Sequence, residues 1–164
     1  MCRDPREAVV HDFLLLSVPS LLPVLVHGIL RLTLSTNVGG HKTLERSFDL
    51  SKLPNLEEVD FGVSWVGGGL LWIHTALSTL RPATSPRLFA VQLNFTRSPI
   101  TNQSVETAIE ETGNDLRQIA AEVARIECEF KGAANFTVVR DPWFKVVLDA
   151  LDVRFHFCAV DNTS

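Results

Sequence analysis

ILRLTLSTN, residues 29–37, places apolar side chains at Ile29, Leu32 and Leu34 and an asparagine at Asn37. The same spacing returns as LEEVDFGVS over 56–64, with Leu56, Val59, Phe61 and Ser64. It returns again as LFAVQLNFT over 88–96, with Leu88, Val91, Leu93 and Thr96. Within each copy apolar and other residues alternate, the period of a strand with one buried face. Val59 follows Leu32 by 27 positions and Val91 follows Val59 by 32. Recurrence at such intervals is the mark of a repeat architecture in which each unit contributes one strand to a shared sheet.

The copies therefore predict an α/β fold, a short leucine-rich-repeat-like solenoid with a parallel sheet and helices on its outer face. Asn37 completes the pattern LxxLxLxxN in the first copy. Its side chain is expected to turn inward and satisfy backbone groups where the strand ends. Ser64 and Thr96 hold that place in the other copies, with less bonding capacity. GLLWIHTALSTL, residues 69–80, sets Leu70, Ile73, Leu77 and Leu80 at helical spacing before Arg81-Pro82 ends the run.

Downstream, residues 103–130 form an amphipathic helix pattern, with Val105, Ile109, Leu116, Ile119, Ala120, Val123, Ile126 and Phe130 in one stripe. Gly113-Asn114 is a candidate break in it. A short strand is predicted over Phe136–Val139. Asp141-Pro142 then opens a last helix, with Val146, Val147 and Ala150 on its apolar side. Leu148, Leu151 and Val153 form a weaker fourth copy leading into a strand over 153–157. Five strands and four or five helices are expected. The predicted organisation is an N-terminal capping helix or irregular segment over 1–28, the repeat domain over 29–158 and a tail over 159–164.

Composition limits the function classes. Apolar residues make up 46% and charged residues 21% of 164, as in one globular domain. A net charge of −4 provides no basic footprint, which excludes nucleic acid as the expected partner. Cys2, Cys128 and Cys158 are distant and odd in number, so no disulfide framework or zinc site is expected. They fit small core positions in a chain of the cytoplasm or nucleus. FLLLSVPSLLPVLVHGILRL, residues 13–32, is apolar but broken by Pro19 and Pro23 and preceded by Arg3, Asp4, Arg6, Glu7 and Asp12. That flank lacks the positive excess of a signal sequence, so membrane insertion is not expected. The sequons at Asn94, Asn102, Asn135 and Asn162 matter only for a secreted chain.

Catalytic patterns are sparse. Gly67-Gly68-Gly69 follows a strand and opens a helix, where a phosphate loop would lie. Leu70-Leu71 stands where a P-loop lysine belongs. The expected role is a close-packing turn; the enzymatic alternative is a small α/β enzyme with its site at the strand C-terminal ends near this turn. The histidines His11, His27, His41, His74 and His156 have no ligand spacing; His74 reads as a partly exposed helix residue. Neither cofactor nor metal is expected. Glu106, Glu110, Glu111, Asp115, Glu122, Glu127 and Glu129, interspersed with Arg117 and Arg125, read as a solvated helix face.

Binding is the expected mode of action. If Leu32 and Leu34, Val59 and Phe61, Val91 and Leu93 point inward, their neighbours point outward. These are Arg31, Thr33 and Ser35; Glu58, Asp60 and Gly62; Ala90, Gln92 and Asn94. The middle row of this ladder is Thr33, Asp60 and Gln92, to which the last strand adds Arg154 and His156. Trp65 joins the expected binding residues because it stands at the exit of the second strand.

LSKLPNLEEVDFGVSW, GGLLWIHTALSTL and SPRLFAVQLNF resemble the C-terminal leucine-rich-repeat-like region of fungal F-box-like proteins, over residues 30–157. The resemblance implies a substrate- or partner-recognition region related to ubiquitin-ligase subunits, with a protein partner such as a ubiquitination substrate. The 28 residues before Ile29 are too few and too proline-broken for an F-box. The expectation is a repeat region without that module, or a degenerate fragment without a function of its own.

Overall fold

The computed structural model describes residues 7–11, 28–36, 49–155 and 159–161. They build one six-stranded parallel sheet with strands in sequential order. The strands are β1 (Glu7–His11), β2 (Arg31–Thr36), β3 (Glu58–Trp65), β4 (Ala90–Arg97), β5 (Asn135–Arg140) and β6 (Ala159–Asp161). Three α-helices are described: α1 (Leu71–Ser78), α2 (Val105–Phe130) and α3 (Pro142–Ala150). A 3-10 turn, Leu50–Lys52, is capped by the Asp49 carboxylate on the Ser51 N–H at 3.0 Å.

The three copies of the repeated pattern lie side by side. Leu32 pairs with Val59 and Val59 with Val91; Leu34 pairs with Phe61 and Phe61 with Leu93. Burial alternates strictly along β3, with Val59, Phe61, Val63 and Trp65 buried. These residues join the buried sides of all three α-helices in one core. Each fully buried large apolar side chain contributes roughly 1.5–3 kcal/mol. Among the described residues the helices therefore cover one face of the sheet, and none lies on the other.

Helix α1 illustrates how the layers depend on each other. Its eight residues carry no side-chain cap, no acid in the first turn and no base in the last. A helix this short does not persist alone in water. Helix α2 supplies what is missing at both ends. Asp115 accepts the Leu70 N–H at 2.8 Å at the α1 N-terminus. At the other end Arg125 Nη2 donates to the carbonyls of Leu77 at 3.0 Å and Leu80 at 3.2 Å. An anion thus meets the positive end of the α1 dipole and a cation the negative end. The reach follows from length. The 26 residues of α2 span about 39 Å, whereas an eight-residue strand spans about 26 Å.

Several expectations are corrected. Gly113-Asn114 does not split α2, which runs unbroken from its Ser104 cap to Phe130. A Cβ on Gly113 would lie 3.0 Å from Leu151 Cδ2, so glycine permits close packing of the segment after α3. That packing offsets the ~0.5–1 kcal/mol cost of glycine in a helix. The segment expected to hold a capping helix contains β1, because Glu7–His11 pairs with β2 in parallel. The expected tail contains β6. The fourth copy forms no strand: Leu148 is helical, and residues 153–155 lie outside any element. On α3 the buried residues are Phe144, Val147 and Leu148, while Val146 is 53% exposed. Ala150 is exposed too. Cys128 is exposed on α2 rather than in the core. Asn37, Cys158 and residues 13–27 lie outside the described residues. Among the described residues, no helix is long and apolar enough to cross a membrane.

Candidate binding site

The strand register sets out, row by row, the face that the described residues leave uncovered. Arg31, Glu58, Ala90 and Asn135 form one row, and Thr33, Asp60, Gln92 and Thr137 the next. Gly62, Asn94 and Val139 follow. The expected ladder of Thr33, Asp60 and Gln92 is thus a single register line. Arg31 Nε stands 3.5 Å from Glu58 Oε2 across β2 and β3. Around these rows lies a depression of about 200 Å³, lined chiefly by Arg31, Thr33, Glu58, Asp60, Gln92 and Thr137. It occupies the N-terminal halves of the strands.

A directed hydrogen-bond chain joins two of its lining residues, Asp60 and Gln92, through Asn94 beside it. Asn94 Nδ2 donates to Asp60 Oδ1 at 2.5 Å, and Gln92 Nε2 donates to Asn94 Oδ1 at 3.0 Å. Its direction is forced, because a carboxylate only accepts. Asn94 must turn its NH2 to Asp60, which leaves its oxygen for Gln92. Burial pushes the Asp60 carboxyl above its ordinary value of 3.8, opposed by the Asn94 hydrogen bond. Among the described residues Asp60 has no cationic partner within ion-pair distance.

A raised value means that ionised Asp60 works against folding. The favourable contribution of the protonated group is complete below 3.8 and is lost as pH rises through the folded-state value. Asp60→Asn is therefore expected to raise the melting midpoint by a few degrees at pH 7. The gain should vanish in melts below pH 3.8, where both chains are uncharged at this position. A gain that persists unchanged in acid would show that desolvation of the charge is not its cause.

Trp65 does not belong to this face. It is 2% exposed and points into the helix-covered side. Its indole N–H donates to the Gly68 carbonyl at 2.9 Å, and its ring stacks on Trp143 with centroids 5.3 Å apart. Odd and even positions of a strand serve opposite faces; Trp65 shares parity with Phe61, whereas Asp60 does not. Arg154 is also absent from the ladder: 83% exposed, it faces Asp152 at 3.5 Å. His156 lies outside the described residues. Thr137 was missed in the sequence reading, although its place between Phe136 and Val138 carried the signal.

The glycine turn at the other end of the strands is already filled. Glu111 Oε2 accepts the Gly68 N–H at 2.6 Å, and Asp115 takes that of Leu70. A Cβ on Gly67 would meet Gln103 Nε2 at 2.7 Å. Two carboxylates hold the amides that a phosphate would need, and their charge repels an anion. These two acids tie α2 to the turn, Asp115 half-buried, while Glu106, Glu110, Glu111 and Glu129 are exposed, as expected of a solvated face. Glu122 is another such tie, 3.6 Å from His74 Nε2 and 2.6 Å from Arg125 Nε. His74 is partly exposed, as expected. Thr96, expected to bond locally, instead donates across to β3, to the Val63 carbonyl at 2.9 Å.

Among the described residues, no three His, Cys, Asp or Glu side chains are grouped to hold a metal ion. No family model and no curated protein matched the sequence. Among solved structures, a family 18 chitinase from Crocus vernus aligns over 89% of this chain and 64% of its own, at 10% identity and a TM-score of 0.33. The chain thus spans less than two-thirds of that structure, and similarity at this level carries no argument about fold or activity.

Proposed function

We propose that the chain is a noncatalytic recognition module, a short leucine-rich-repeat-like solenoid that binds a protein partner on the uncovered face of its sheet. The observation that carries this reading is the registered polar ladder of Thr33, Asp60, Gln92 and Thr137 around the depression. Stacked repeats offer such a row of side chains to an extended ligand. The resemblance to F-box-like proteins favours a recognition role related to ubiquitin-ligase subunits, with binding residues Arg31, Thr33, Glu58, Asp60, Gln92 and Asn94.

The enzymatic alternative has less support. A doubly wound enzyme binds where its strand order reverses, and the described strands run in sequence. Barrel enzymes share the sequential order but place their chemistry at the strand C-terminal ends. Here the Gly67–Gly69 turn at those ends is occupied by Glu111 and Asp115.

Site-specific photocrosslinking in source-cell extract tests the reading. A benzophenone side chain at Thr137 is expected to yield a discrete protein adduct that Asp60→Lys abolishes. The same group at Ala124, exposed on α2, is expected to yield none. Absence of an adduct at Thr137, or equal adducts at both positions, would sink the reading.

A further inference from the structure

We propose that the depression on the uncovered sheet face is a receptor for the primary ammonium of a lysine side chain carried by a partner polypeptide. This rests on the recognition reading and names the group that is recognised. The first argument is the direction of the hydrogen bonds. The NH2 of Gln92 donates to Asn94 and that of Asn94 donates to Asp60. Each of these bonds uses an amide donor to serve an acceptor inside the chain. Among the described residues, no hydrogen bond uses Asp60 Oδ2 or Gln92 Oε1, and the hydroxyls of Thr33 and Thr137 are near them. Each amide also keeps its second N–H, and Arg31 lines the depression, so donors are present as well. An ammonium carries three donors and no acceptor, so it can serve the remaining Asp60 oxygen and the acceptors beside it. A carboxylate or phosphate would meet the unbalanced Asp60 charge.

The second argument is charge. Arg31 and Glu58 balance each other at the rim, 3.5 Å apart. Asp60 remains as a half-buried carboxylate without a cation among the described residues. Burying a charge without a partner is costly, and an arriving ammonium relieves that cost. The upward displacement of the Asp60 carboxyl by burial agrees with a site whose counter-charge comes from outside.

The third argument is size. Small-molecule sites enclose about 300–1,000 Å³, whereas this depression measures about 200 Å³. It has room for one long side chain rather than a cofactor. Lysine fits better than arginine. A guanidinium binds carboxylates best as a two-pronged fork, but Asn94 already occupies Asp60 Oδ1. A compact ammonium needs only the one oxygen left and the acceptors beside it. The register places Asn135 and Asn94 beside the depression, so a polypeptide carrying the lysine finds further polar contacts there.

The test is an NMR titration of the full chain with glycine–serine peptides that carry one central lysine, arginine, norleucine or Nζ-acetyl-lysine. The lysine peptide is expected to shift the amides of Thr33, Asp60, Gln92, Asn94 and Thr137. It should bind at least about tenfold more tightly than the norleucine and acetyl-lysine peptides, as for a charge-assisted hydrogen bond. It should also lower the Asp60 carboxyl pKa, read from its 13C shift. Asp60→Asn keeps the shape and should lose that preference; Thr137→Val should weaken it in a chain with an unaltered melting midpoint.

Equal binding of the lysine and norleucine peptides would overturn the proposal. So would tighter binding of arginine, shifts confined to other faces, or butylamine binding as tightly as the lysine peptide. A Thr137 crosslink that persists beside any of these results removes the lysine assignment alone. Loss of the crosslink removes the recognition reading with it.

Discussion

Trp65→Ala is expected to lower folding stability by about 3–5 kcal/mol, the usual cost of emptying a buried aromatic site. In a chain of this size that is a fall in melting midpoint of roughly 6–20 °C. The side chain is 2% exposed, stacks on Trp143 and meets Phe144 edge-on at 6.3 Å between centroids. Each such aromatic pair contributes about 0.5–1.5 kcal/mol beyond its buried area. Arg97 lies over the Trp143 ring at 5.1 Å, which extends the stack to the end of β4. The truncation also strips the Gly68 carbonyl of its indole donor. Thermal and denaturant melts read the effect. Trp65→Phe restores most of the volume but not the N–H, so an intermediate loss is expected. A near-native melt of Trp65→Ala combined with loss of partner binding would return this residue to the recognition face.

Arg125→Ala is expected to cost about 1.5–3 kcal/mol, because it breaks a half-buried network of charge-assisted hydrogen bonds and leaves its partners unpaired. Arg125 Nε meets Glu122 at 2.6 Å and Nη1 meets Glu129 at 2.7 Å. Nη2 closes the C-terminal end of α1 on the Leu77 and Leu80 carbonyls. Its side chain is 21% exposed, so water replaces these bonds only in part. The damage should be local first. Amides of α1, Leu71–Ser78, are expected to lose hydrogen-exchange protection before those of β3 and β4. Arg125→Lys keeps the charge but cannot hold two carboxylates and two carbonyls together. It should recover less than half of the loss. Uniform loss of protection across sheet and helices would show that α1 does not depend on this clamp.

Stability and recognition are set against each other at Asp60. The group that burial holds above its ordinary pKa is also the counter-charge of the proposed site. Replacing it with asparagine should stabilise the fold while removing the ammonium preference. Such opposition is expected where a site keeps a group the fold would rather lose.

The sequence by itself determined the alternation of strand and helix, the parity of each strand and hence which residues face away from the core. Leu32, Val59 and Val91 could be aligned by spacing alone, and the register pairs them. Strand parity is local: the backbone turns successive side chains to opposite faces whatever the partner. The cap at Asp141 was legible for the same reason, since it serves its own helix. Parity also contained Trp65 and Thr137, whose placement follows from counting in twos.

Only the tertiary structure decided the rest. That Glu111 and Asp115 close the Gly67–Gly69 turn joins residues 43 and 45 positions apart. A charged residue on a helix looks solvated in sequence until a neighbouring element brings backbone donors to it. Gly113 reads as a break until Leu151 packs against it. Strand β1 was hidden because a short edge strand gains its identity from the partner it pairs with. The depression and its directed chain of amides exist only once β2, β3, β4 and β5 are side by side. Periodicity is written in one dimension; which polar group meets which depends on contacts between distant segments.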